Sequence, residues 1–121
     1  MEELRLATVE SRFADIIWTH EPVPSGELVK LCEKELGWKK PTTYTVLRKL
    51  CERGLFQNHD GVVTSLVSKE VFLSAQSHRF IDEAFNHSLP AFLASFMGGR
   101  TISAKEADEL KALIDQYREE E

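Results

Sequence analysis

Apolar residues recur at helical spacing in six stretches of this chain, interrupted by one stretch where the period shortens to that of a strand. Leu6, Val9, Phe13, Ile16 and Ile17 predict a first helix ending near Trp18, with Glu10, Arg12 and Asp15 turned outward. Pro22 and Pro24 stop it, because each removes a backbone donor and biases its predecessor to extended geometry. A short extended piece is expected around Val23. Ser25 is expected to cap a second helix, whose stripe is Leu28, Leu31, Cys32 and Leu36 and whose end is Gly37.

The connector Gly37-Trp38-Lys39-Lys40 leads directly into a third helix, and two helices joined this closely form a helix–turn–helix. Pro41 suits the first turn, where a missing N–H costs nothing, and Gly54 stands just past the end. At 100° per residue, Thr43, Val46, Leu47 and Leu50 fall on one side. Thr42, Tyr44, Thr45, Arg48, Lys49 and Glu52 fall on the other. The outer side offers hydroxyls and cations, the donor types that contact phosphates and base edges. It therefore predicts a DNA-recognition helix. Lys39, Lys40, Arg48, Lys49 and Arg53 are the candidates for backbone neutralisation, with Arg53 near the boundary of the inner face; Thr42, Tyr44 and Thr45 are the candidates for base contacts.

After Gly54 the period changes. Leu55 to His59 is followed by Asp60-Gly61, a strong hairpin signal, and then by the β-branched return Val62 to Val67. Three helices and a hairpin predict a mainly α fold with a small β-hairpin: a winged helix–turn–helix over 1–67.

The remaining stretch, 68–121, predicts a helical dimerisation domain. Ser68, Ser88 and Ser103 are candidate caps for three amphipathic helices, broken at Pro90 and at Gly98-Gly99. Phe80, Phe85, Phe92, Phe96, Leu110, Leu113 and Tyr117 give these helices more apolar surface than so small a segment can close over alone. Packing back on the N-terminal part is one outlet; a second copy is favoured, since the N-terminal elements already account for their own apolar faces.

Composition narrows the class. The chain has 121 residues, 42% hydrophobic and 29% charged, as expected of one ordinary globular domain or a small domain with an extension. No apolar run approaches a membrane span, and Met1-Glu2-Glu3 begins no export signal, so a cytoplasmic protein is expected. Cys32 and Cys51 are then expected to be reduced fillers. No nucleophile–base pair, carboxylate pair or metal-ligand spacing can be named, which argues against an enzyme, a metal site, a cofactor or a small-molecule substrate. Net charge is −5, unfavourable for nucleic acid, but the stretch Trp38 to Gly54 sets five cations against the single acid Glu52.

In the order and spacing of these pieces the chain resembles the penicillinase-repressor family of bacterial transcription regulators, the BlaI/MecI/CopY type. The carriers are Asp15-Ile16-Ile17-Trp18, the run Thr42 to Leu50, Arg53-Gly54-Leu55, Leu66-Val67-Ser68 and Glu106-Ala107-Asp108-Glu109-Leu110. The resemblance implies a homodimeric repressor on a palindromic double-stranded DNA operator, with Thr42, Tyr44, Thr45, Arg48 and Lys49 facing the major groove or its phosphates. It also implies relief of repression when a membrane sensor metalloprotease cuts the dimerisation domain, at a position matching Ser95-Phe96. Three departures bear on those expectations. Ser95 stands where the β-lactam-responsive members have Asn; the paired C-x-C motifs of copper-responsive members are missing; and the wing from Gln57 to Val62 carries no Lys or Arg. The pale wing and acidic total suit an alternative, a winged-helix protein-interaction module that does not bind DNA.

Overall fold

A computed structural model describes residues 6–120 of the chain. Met1–Arg5, which carry the argument about export, lie outside the described residues, as does Glu121. The order is α1 (Thr8–His20), β1 (Val23–Pro24), α2 (Ser25–Leu36), α3 (Lys40–Glu52), β2 (Phe56–His59), β3 (Val62–Ser65), α4 (Lys69–Ala84), α5 (Leu89–Phe96) and α6 (Ala104–Tyr117). The first six elements form a winged helix–turn–helix. The chain divides into two compact units, 1–80 and 81–121, the division falling within α4.

In the first unit the hairpin recruits a third strand. The sheet order is β1-β3-β2, all antiparallel, with Val23 opposite Val63 and Phe56 opposite Ser65. Asp60 and Gly61 both have positive φ, 50° and 79°, which is the type I′ geometry that a two-residue hairpin loop requires. Pro24 is tolerated because β1 is an edge strand.

Phe13, Ile17, Leu28, Leu50, Leu55, Phe56 and Val63 are fully buried, so each of the three helices and the sheet places its apolar face in one core. Val9 departs from the periodic expectation and is exposed although it lies within α1, whereas Leu6, before the helix, is buried. Trp18 binds the beginning of α4 to this core. Its indole N–H donates to the Val67 carbonyl at 3.0 Å, and its ring lies against Phe56 and Phe72. An ion pair of 2.8 Å between Lys69 and Asp15 reinforces the same junction.

The end of α3 is set by backbone geometry. Gly54 takes φ 81°, and the N–H groups of Gly54 and Leu55 turn back onto the carbonyls of Cys51 and Leu50. This is the Schellman arrangement, and an L-residue at position 54 would be strained. Ser68, Ser88 and Ser103 cap their helices as their positions predict, accepting from the N–H groups of Val71, Ala91 and Glu106. The predicted cap at Ser25 does not form. Ser25 is already helical, Pro24 stands in the cap position, and no side chain caps α2.

The second unit contains an aromatic string. Phe85 meets Phe92 edge-on at 5.5 Å, Phe92 lies 6.0 Å from Phe96, and the Arg100 guanidinium sits over the Phe96 ring. Neither α5 nor α6 contains a buried residue.

Candidate nucleic-acid interface

The stripe on α3 separates as the helical period requires. Thr43, Leu47 and Leu50 are buried, while Thr42, Thr45, Arg48 and Lys49 are exposed. Lys39 and Lys40 are also exposed at its N-terminal end, where the chain turns from α2. The helix is thus anchored on one face and presents hydroxyls and cations on the other. Thr43 Oγ1 is buried without a conventional hydrogen-bond partner. The nearby Cys32 thiol is pushed up to about 11 by burial, partly offset by the Thr43 hydroxyl, with the Glu35 charge raising it slightly further. Burial, then Glu52, likewise raises the Cys51 thiol. Both cysteines are free.

Apart from Thr42, which is exposed, contacts divide the sequence-predicted residues into three groups. Among the described residues, Lys39, Lys40 and Arg48 make no ion pair. Lys49 and Arg53 instead face Glu10 on α1, at 3.6 and 3.7 Å. The third group comprises hydroxyls with an internal partner. Tyr44 is half-buried and donates its hydroxyl proton to Ser25 Oγ at 3.1 Å, while Thr45 Oγ1 donates back to the Pro41 carbonyl at 2.9 Å. Thr45 remains exposed despite this bond back to the preceding turn.

Next to this face lies a shallow open groove lined by Tyr44, Leu47, Arg48 and Cys51 of α3 and by Asn58 of the wing. Gln57, Asn58, His59 and Asp60 are exposed, so the wing offers amides and an imidazole rather than lysine or arginine. His59 and Asp60 face each other at 3.3 Å. The wing is also held from behind. Both Glu21 carboxylate oxygens accept from the Ser65 hydroxyl, and one also accepts from its backbone N–H at 2.8 Å. Sequence reasoning assigned no role to Glu21, whose partner is distant in the chain, and helical period turned Glu10 outward. Instead the Glu10 side chain is 17% exposed and faces Lys49 and Arg53, cations that no local period could bring to it.

The profile of the family described as Penicillinase repressor matches residues 6–116, nearly the whole chain. The chain belongs to the penicillinase repressor family. It is also similar to a protein described as penicillinase repressor from Bacillus licheniformis, 23% identical over 118 residues, covering 94% of this chain and 92% of that one. For this family member the matched span includes α3, the wing and most of the second unit, so the repressor assignment applies to the chain as a whole. The family is one of repressors, which act in transcription regulation. Among the described residues no helix is long and apolar enough to cross a membrane, and no group of three or more His, Cys, Asp or Glu could hold a metal.

The remaining predicted residues fall in or beside the second unit. Phe80, Phe96, Leu113 and Tyr117 are exposed, and Phe85, Phe92 and Leu110 are half-buried. Ser95 and Phe96 occupy the final turn of α5, where the Ser95 carbonyl accepts from the Gly98 N–H.

Proposed function

We propose that the chain is a homodimeric repressor that inserts α3 into the major groove of each half of a palindromic operator. The observation that carries this reading is the outer face of α3. Thr42, Thr45 and Arg48 project beside Lys39 and Lys40 from a helix whose opposite face is fixed in the core. Arg48, Lys39 and Lys40 supply phosphate contacts, and Thr42, Thr45 and the Tyr44 ring supply contacts to base edges and methyl groups. The wing plays a small electrostatic part, for it lacks lysine and arginine.

Dimerisation is supported by the unclosed apolar surface of the second unit, where Leu113, Ile114 and Tyr117 are 51%, 55% and 74% exposed. One winged helix contacts too few base pairs for a genome-scale search, and two half-sites multiply the discrimination. Cleavage by a membrane sensor metalloprotease between Ser95 and Phe96 would remove most of that surface and release the DNA. Both residues are exposed, which suits such a step.

The test is selection of genomic DNA fragments by the purified chain. A recovered motif with two inverted half-sites, spaced by one helical turn or a multiple, is the expected result. No retention of DNA at low salt would refute the reading and favour the protein-interaction module.

A further inference from the structure

Glu10 lies in the first turn of α1, far along the chain from the two cations it faces, Lys49 and Arg53. Its Oε2 is 3.6 Å from Lys49 Nζ and its Oε1 is 3.7 Å from Arg53 Nη1. Lys49 lies in the last turn of α3 and Arg53, four residues on, is its C-cap, so one carboxylate serves both. The separations exceed those of hydrogen bonds but lie within ion-pair range. Oε1 also accepts the Ala7 N–H at 3.1 Å, which holds the carboxylate in place. The Glu10 side chain is 17% exposed and that of Arg53 25%, against 64% for Lys49. Water therefore screens the Glu10–Arg53 attraction less than the Glu10–Lys49 one.

We propose that Glu10 is a charge restraint on the DNA-binding face: it holds Lys49 and Arg53 as counter-ions of the protein and so limits how many phosphates the helix neutralises. The inference rests on the DNA-binding reading above. A phosphate approaching either cation has to compete with a fixed carboxylate. The sequence-independent part of the affinity, which grows with each phosphate neutralised, is thereby lowered. Arg48, Lys39 and Lys40, without an ion pair among the described residues, remain available throughout.

The test is binding of the full chain to a random-sequence duplex between about 50 and 200 mM salt, with and without Glu10→Gln. The glutamine keeps an oxygen for the Ala7 N–H and removes the charge. Expected is tighter binding at low salt and a log–log salt slope steeper by about 0.9 to 1.8, corresponding to one or two further phosphates. An equal or shallower slope overturns the proposal. The same gain in a chain also carrying Lys49→Met and Arg53→Met overturns it too, because the gain would then not pass through these cations. Should E10Q fail to fold, K49M/R53M alone decides the matter. A loss of slope well below about 1.8 supports the restraint, and a full loss of about 1.8 overturns it. Wild-type chain that binds no DNA at any salt removes the DNA-binding reading itself; equal slopes for binding-competent chains remove only the role of Glu10.

Discussion

The Tyr44 hydroxyl on α3 donates to Ser25 Oγ on the first turn of α2 at 3.1 Å. This bond links the two helices of the helix–turn–helix at the end of α2 opposite their connector, and so limits how α3 can pivot. Ser25, already inside α2 with Pro24 at the cap position, uses its oxygen for this inter-helix bond. Tyr44→Phe should destabilise the chain by about 0.5–1.5 kcal/mol, the usual net worth of a neutral hydrogen bond. Ser25→Ala added to Tyr44→Phe should then cost less than it does alone, as urea unfolding of the four chains will show. Strict additivity would mean that the bond contributes nothing.

Arg48 and Thr45 should fail in different ways. Arg48→Ala should weaken binding to all sequences and flatten the salt slope by about 0.9, the loss of one phosphate contact. Thr45→Ala should leave the slope unchanged and relax preference at one base step by about 1–3 kcal/mol. Fluorescence titrations against the selected operator and its single-base variants distinguish the two outcomes.

The exposed residues of α6 give a prediction about assembly. Leu113→Glu places a charge in the apolar surface proposed for the dimer, and should shift the chain toward monomer in sedimentation equilibrium. The first unit, whose core does not include Leu113, should keep its near-ultraviolet signature from Trp18 and Trp38. A dimer unaffected by this change would mean that it assembles through another surface.

Cys32 gives a pH signature. Its folded pKa is raised to about 11 by burial, so the folded state holds the thiol proton more tightly than the unfolded chain. Stability from this source is complete below about pH 8.5 and is lost as pH rises through the unfolded value toward the folded one. Urea midpoints should therefore fall between about pH 9 and 11 in the wild type, and less steeply in Cys32→Ala. Identical pH dependence in the two chains would show that the thiol is not responsible. Cys51, also raised by burial, acts in the same direction and is left in place in both chains.

Much of the architecture could be read from the residues because its signals are local. Helical period separates Leu47 and Leu50 from Thr45 and Arg48. Asp60-Gly61 accepts the positive φ of its turn, Gly54 that of the α3 terminus, and Ser68, Ser88 and Ser103 each cap the helix that follows. These effects act within a few residues, so the order of the elements and the outward face of α3 follow from the chain alone. Other features depend on which distant residues the fold brings together. The pairing of β1 with β3 is one, and the Tyr44–Ser25 bond between α3 and α2 is another. Tertiary structure also separates Lys49 and Arg53, beside Glu10, from Lys39, Lys40 and Arg48. In sequence these five cations lie on one basic stretch, and helical period sets apart only Arg53, near the boundary of the inner face. Only the fold, which sets Glu10 of α1 near the end of α3, brings a carboxylate to two of them, because an ion pair depends on distance in space and not on separation along the chain.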